Sequence, residues 1–147
     1  MKEVKVFYVK FSTKEEKSRI INKTIVVPID SSKLEVEKIV QTKFRAVKNI
    51  ELIDYFSDAL VFGQTVNSEP IKKDRISKKE KVAGNWQDVN IYTVQFETLD
   101  NHKIEKNMIF PLDYTDEKAE ELIKQELTNL KNIRNIQKIK NGWLKKE

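Results

Sequence analysis

The segments VKVFYVKF at residues 4–11 and VNIYTVQF at residues 89–96 decide the fold of this chain, because the second repeats the first. Two further pairs follow in the same order. They are NKTIVVPID at 22–30 with EKNMIFPLD at 105–113, and VKNIELI at 47–53 with IRNIQKI at 133–139. The members of the three pairs are 85, 83 and 86 residues apart. Three ordered matches at a nearly constant spacing predict a duplicated supersecondary unit.

Each unit is predicted to contain two strands, a helix and a third strand. The predicted strands are 4–11, 20–29 and 47–53 in the first unit, and 89–98, 104–112 and 133–139 in the second, with 59–66 as an optional extra strand. The helices are predicted at about 33–45 and 115–130. Ser32 and Glu35 have capping-box spacing at the start of the first helix. Ile39 and Leu122 lie at equivalent positions of the two apolar stripes, so both are expected to be buried.

The predicted fold class is α+β, with two tandem β-β-α-β units of strand order 2-1-3. Each unit is expected to form its own mainly antiparallel sheet, covered by one helix. The first strand is then central and apolar on both faces, with Phe7 and Val9 on one face and Val4 and Val6 on the other. One helix covers only one face of its sheet, so the other unit is expected to cover the second face.

The predicted domain boundaries place the first unit at residues 1–66, a basic linker at 67–85 and the second unit at 86–147, packed together as one compact protein. The linker carries six basic and three acidic side chains, together with Pro70 and Gly84. Such a charge run is typical of a solvated connection. A mobile basic arm that contacts nucleic acid or an acidic partner is the functional alternative.

Composition limits the function classes. Apolar residues make up 39% of the chain and charged residues 35%, and no run of 18 apolar residues is present. The sequence has no cysteine, which excludes disulfides and thiolate chemistry. The N-terminal residues alternate like a strand and lack the pattern of a signal peptide. We therefore expect a cytoplasmic protein that does not associate with membranes.

The formal net charge of +5 comes from 24 lysines and only four arginines against 23 acidic residues. Arginine is the side chain that binds phosphate and guanine in a bidentate manner, so its scarcity disfavours selective recognition of nucleic acid. A lysine-rich solvated surface is the simpler interpretation.

The sequence offers little for catalysis. The only histidine, His102, lies in a predicted hairpin turn, and no nucleophile–base motif or glycine-rich phosphate loop is present. The carboxylates between residues 113 and 121 could suggest a magnesium site, but their spacing is more typical of the solvent face of a helix. We therefore predict a protein that is not an enzyme and needs neither cofactor nor metal.

Aromatic residues near the strand ends are the main candidates for binding. Tyr55, Phe56, Trp86 and Trp143 are expected to be exposed and to anchor a macromolecular partner. The simpler interpretation is that these rings cap the ends of a small core. The alternative binding site, for nucleic acid, consists of basic residues in the linker and last strand: Lys72, Lys73, Arg75, Lys78, Lys79, Lys81, Arg134, Lys138 and Lys140.

The sequence thus predicts a binding protein that acts as an adaptor or inhibitor by occupying a surface of a protein or nucleoprotein partner. A small duplicated chain without cysteine is consistent with an accessory protein of a phage or mobile element. The alternative is direct binding of DNA or RNA through the basic linker and the last strand.

Overall fold

The computed structural model describes residues 1–44, 46–63 and 86–145. The elements follow the order β1 (Lys2–Thr13), β2 (Ile20–Pro28), α1 (Lys33–Lys43), β3 (Val47–Val61), β4 (Trp86–Thr98), β5 (Lys103–Pro111), α2 (Asp116–Glu126) and β6 (Leu130–Lys145). The predicted linker, residues 67–85, lies outside the described residues. Neither of these two helices is long and apolar enough to span a bilayer.

The strands form one closed barrel in the order β1-β2-β6-β4-β5-β3. β1 pairs antiparallel with β2 and β3, and β4 pairs antiparallel with β5 and β6. The barrel closes through two short parallel contacts, between β2 and β6 and between β3 and β5. The predicted α+β arrangement of two units with separate sheets is therefore wrong. The ends of β3 and β6 extend beyond the predicted strands and join the two halves in a single mixed sheet.

β3 and β6 are long because β-bulges let them bend. Val6 pairs with Ser57 and Phe7 pairs with Tyr55, so Phe56 is an extra residue in β3. Three such register shifts occur in β1/β3 and three in β4/β6. A bulge bends its strand and raises the local twist. The strand continues through Ser57 to Val61, so the prediction of a separate strand at 59–66 is wrong.

The bulges also explain an error in the sequence match. Apolar residues recur at every third position of β3 and β6, because each bulge adds one residue to the usual alternation of two. Thr13 pairs with Val47, and Thr98 pairs with Leu130. The structure therefore aligns Val47 with Leu130, a spacing of 83 residues. The spacing of 86 predicted from the sequence is too large by one three-residue period.

Local signals placed the helices well. The Ser32 hydroxyl accepts from the Glu35 N–H, and the Glu35 carboxylate accepts from the Ser32 N–H, which is the predicted capping box. The side chains buried beneath the helices are Val36 and Val40 in α1, and Ala119 and Ile123 in α2. The expectation that Ile39 and Leu122 are buried is wrong, since both are only partly buried.

The described residues form three apolar clusters. Val4 and Val6 pack with Val89 and Ile91 in the barrel interior, so the other half covers the beginning of the second face of β1 as predicted. Lys10 and Ser12 continue that face and take no part in this cluster. Between α1 and the sheet lies a second cluster, which includes Phe7 and Val9, and between α2 and the sheet lies a third. The second cluster also receives Trp86 and Trp143 from the other half of the chain, and the third receives Phe62.

Tyr92 ties α2 to the sheet. Its side chain is buried, and its hydroxyl donates to Oδ1 of Asp116, in the first turn of α2, at 3.0 Å. Burial and this hydrogen bond to a carboxylate raise the pKa of Tyr92 to about 12.

We predict that Ile123→Ala lowers the free energy of unfolding by roughly 2–5 kcal/mol, because it leaves a cavity beneath α2. Leu34 is exposed on α1, so Leu34→Ala is the matched control and should change stability by less than about 0.5 kcal/mol. Urea denaturation of both variants measures the difference. Equal effects of the two substitutions would contradict the packing of α2 described here.

We predict that Tyr92→Phe costs roughly 0.5–1.5 kcal/mol at neutral pH, because a hydrogen bond to Asp116 is lost. The tyrosine pKa is about 10 in an unfolded chain and about 12 here, so the folded state holds the phenol proton more tightly. This contribution is complete below pH 10 and disappears as the pH rises through 12. Urea midpoints measured between pH 8 and pH 12 should therefore fall more steeply for the native protein than for Tyr92→Phe.

Candidate functional site

Because the parallel contacts involve only two residue pairs each, most of the sheet splits into two three-stranded arms. The first arm consists of residues 7–13, 20–24 and 47–55, and the second consists of residues 92–98, 103–107 and 130–138. The apolar side of the first arm packs against α1 and that of the second against α2. The opposite side of each arm takes no part in either helix cluster.

Strand register defines the residues on these opposite sides, because directly paired residues of antiparallel strands share a face. We call them the first and second open faces. The first contains Tyr8, Lys10, Ser12, Ile20, Asn22, Thr24, Asn49, Leu52 and Asp54. The second contains Thr93, Gln95, Glu97, Lys103, Glu105, Asn107, Asn132, Asn135 and Gln137.

The second open face is polar, and its side chains bind one another. The Thr93 hydroxyl donates to the Asn107 side-chain oxygen at 2.8 Å, and the Gln95 amide donates to Glu105 at 3.0 Å. Arg134, from the adjoining part of β6, binds Glu97 at 2.6 Å. These contacts pair five of the nine side chains of this face within the chain. The other four, Lys103, Asn132, Asn135 and Gln137, are also polar, so none of the nine side chains is aliphatic.

The first open face is different in chemistry. Ile20 is 48% exposed and Leu52 is 47% exposed, although both belong to regular strands. Lys10 lies directly beside Leu52 and Asn22 on neighbouring strands. Within the described residues neither Lys10 nor Asp54 forms an ion pair. The face therefore combines aliphatic side chains that water still contacts with two charges that form no ion pair in the described part of the chain.

A cation–π cluster closes the inner end of this face. The rings of Tyr8 and Phe56 lie 4.8 Å apart, and the Lys140 ammonium lies 3.9 Å from the centre of the Tyr8 ring. Phe56 also packs against the barrel interior. Lys140 belongs to β6, so the cluster joins the two halves of the chain and holds Tyr8 in a defined position.

The four predicted aromatic anchors do not lie together on one exposed surface. Trp86 is only 5% exposed, and its ring stacks on Phe44, with the two centroids 5.0 Å apart. Trp143 stacks on the same Phe44 ring. The Lys23 ammonium lies 4.2 Å from the centre of the Trp143 ring. The expectation that Trp86 is exposed is wrong, because β4 begins at this residue and turns it beneath α1. The interpretation that the tryptophans cap the core fits their positions.

Tyr55 is exposed as predicted, at 50%. Its hydroxyl donates to Oδ1 of Asp58 at 2.7 Å, and this hydrogen bond is the main reason that the pKa of Tyr55 is raised. Phe56 is partly buried in the cluster with Tyr8. Tyr55 pairs with Phe7 and its ring lies 5.8 Å from the Phe7 ring, so Tyr55 is on the side of the sheet that faces α1. Of the four predicted anchors, Phe56 is the one that borders the first open face.

The residues of the predicted nucleic-acid site are not brought together by the described part of the chain. The six basic linker residues, from Lys72 to Lys81, lie outside the described residues. Arg134 is paired with Glu97, and Lys140 contacts the rings of Tyr8 and Phe56. Lys138, the third basic residue predicted in β6, is exposed and forms no ion pair or cation–π contact within the described residues.

His102 lies in the turn between β4 and β5, where Nδ1 is 3.2 Å from Oδ2 of Asp100. A hydrogen bond from the Thr98 hydroxyl is the main cause that lowers the pKa of Asp100. This geometry gives His102 a place in a hydrogen-bonded turn. Among the described residues, no group of three or more histidine and carboxylate side chains could hold a metal ion.

Sequence reasoning missed the residues that distinguish the first open face, although a signal was present. At equivalent positions of the two halves, Tyr8 corresponds to Thr93, Lys10 to Gln95 and Leu52 to Asn135. Ile20 corresponds to Lys103 in the same way. Each pair differs in polarity. Comparing the halves for where they differ, rather than where they agree, would have found this face.

Comparisons with protein-family models, with curated proteins and with solved structures found no match.

We predict that Lys140→Gln lowers the free energy of unfolding by about 0.5–1 kcal/mol, because a partly buried ammonium leaves the rings of Tyr8 and Phe56. Lys138→Gln, two residues away on the same strand, is the control and should leave stability unchanged. A double-mutant cycle with Tyr8→Leu isolates the Tyr8–Lys140 pair. A coupling energy near zero would contradict the cation–π contact.

Proposed function

We propose that this protein is a non-enzymatic binding protein that occupies a surface of a protein or nucleoprotein partner through its first open face, as an adaptor or inhibitor. The observation that carries the proposal is the contrast between the two open faces. Both are built on the same backbone arrangement, but the side chains of the second face are all polar and five of them are paired within the chain. The first face exposes the aliphatic Ile20 and Leu52 beside Lys10, which forms no ion pair within the described residues.

Energetics support this use of the face. Burying a whole aliphatic side chain contributes about 1.5–3 kcal/mol, so covering the exposed halves of Ile20 and Leu52 would contribute roughly 1 kcal/mol each. Both residues lie on strands that a helix backs, so little conformational entropy is lost when a partner binds. Phe56, beside Tyr8, extends the apolar surface at the inner end of the face.

The proposal assigns no reaction to the protein and no cofactor. His102 is exposed and contacts Asp100 in its own turn, which supports a role in the structure of the turn rather than in catalysis. The cytoplasm is the proposed compartment, supported by a sequence without cysteine. A role as an accessory protein of a phage or mobile element is part of the proposal, and it is based on the small size of the chain, its duplicated sequence and its lack of cysteine.

Direct binding of DNA or RNA is the alternative. It would use Lys138 together with the linker lysines, and phosphate contacts would make it strongly dependent on salt. The first open face does not favour it, since its exposed groups are mainly aliphatic and amide side chains.

We predict that Ile20→Asp combined with Leu52→Asp weakens capture of the partner at least tenfold, because two apolar contacts are replaced by solvated charges. The control carries Lys103→Asp and Asn135→Asp, at the equivalent positions of the second open face, and should bind normally. Photo-crosslinking in host lysate, with and without nuclease, measures capture. Equal binding by both variants would refute the assignment of this face, and loss of capture after nuclease would favour the nucleic-acid alternative.

We predict that naked DNA and RNA bind only in the non-specific range, with Kd of about 10⁻⁴–10⁻⁶ M. A variant with glutamine at Lys72, Lys73, Lys78, Lys79 and Lys81 should differ little from the native protein in a gel-shift titration at two salt concentrations. Tight binding that falls steeply with salt and depends on these lysines would overturn the preference for a protein surface.

A further inference from the structure

We propose that the first open face binds an extended peptide segment of the partner protein with the pattern apolar-x-acidic-x-apolar, where x is any residue. This inference rests on the function proposed above and names the chemistry of the partner. It follows from the size of the face, from the order of its side chains and from its charge.

The face is too small for a second folded protein. It spans three strands and about five residues along β1, which amounts to roughly 250 Å² at ordinary strand spacings. A stable interface between folded proteins buries about 800 Å² on each partner. A second copy of this chain would therefore need much more surface than the face provides, whereas an extended segment of about five residues is long enough to cross its three strands.

The order of side chains across the face sets the order in the peptide. Leu52, Lys10 and Ile20 form a line that crosses the three strands, with Lys10 in the middle. Leu52 lies directly opposite Lys10, at about 5 Å, and Ile20 lies on the diagonal, at about 7–8 Å. The line is therefore about 12–13 Å long. Alternate residues of an extended peptide are about 6.6 Å apart, so residues i, i+2 and i+4 match the three positions.

Charge determines the middle residue of the peptide. Lys10 is partly buried between Leu52 and Asn22 and has no ion pair within the described residues. Lys140 adds a second cation at the inner end. Asp54 is the one carboxylate among the nine residues that strand register places on the face. A carboxylate above Lys10 would form a charge-assisted hydrogen bond in a partly desolvated place. The linker of this chain, with a net charge of +3, has the opposite character from such a ligand.

Selection from a library of phage-displayed random 12-residue peptides, with the full chain as bait and Leu52→Asp for counter-selection, tests the pattern. We expect the enriched peptides to share an acidic residue with apolar residues two positions before and after it. Enrichment of basic or patternless sequences, or no enrichment over the counter-selected background, would overturn the inference.

A charge exchange makes the test specific for Lys10. Fluorescence anisotropy of a selected peptide should show at least tenfold weaker binding to Lys10→Glu, and no change for Gln95→Glu at the equivalent position of the second face. Replacing the acidic residue of the peptide by lysine should restore binding to Lys10→Glu, which a misfolded variant could not do. Failure of this restoration would refute the proposed contact.

A photo-crosslinking residue at Asn22, which is exposed on the same face, identifies the occupant by mass. A crosslink to the selected peptide supports the proposal. A crosslinked dimer, or a crosslink within the chain to residues 64–85, would overturn it in favour of a second copy or of this chain's own linker. If the lysate partner is still captured through Leu52 while the peptide pattern fails, the proposed function stands and only this inference falls.

Discussion

The two short parallel contacts that close the barrel are the constraint on which the rest of the structure depends. Leu60 and Val61 of β3 pair with β5, and Trp143 and Leu144 of β6 pair with β2. These contacts bury a shared interior and place side chains of each half beneath the helix of the other. Neither half completes its apolar core from its own residues, so the two halves are expected to fold as one cooperative unit.

The same closure creates the candidate site. Because β2 and β3 contact the other half only at their ends, the remainder of each strand diverges into an arm that one helix covers on one side. The arrangement occurs twice with the same pairing pattern, so the open face of one arm can be compared directly with that of the other. Since the backbone arrangement is shared, the difference between the open faces lies in side chains such as Leu52 and Asn135. That difference supports binding through one face.

Part of the candidate site was predictable from sequence and part was not. Tyr55 and Phe56 were identified as aromatics at the end of a strand, and Phe56 borders the first open face, whereas Tyr55 lies beside Phe7 on the other side of the sheet. Trp86 was misjudged because a ring at a strand end can turn either way, and the choice depends on Phe44, which is distant in sequence. Leu52 was missed because the bulges in β3 replace alternation by a three-residue period, which hides the face on which a residue lies.

The sequence by itself determined what short-range interactions control. The capping box of Ser32 and Glu35, the apolar stripes of the helices and the two apolar faces of β1 all depend on residues close together in the chain. Only the tertiary structure decided that one sheet closes around both halves, that Trp86 lies inside and that Ile20 and Leu52 stay exposed on the first open face. Those outcomes depend on a few contacts between residues far apart in sequence, such as Leu60 with Met108, and neither local propensity nor periodicity encodes them.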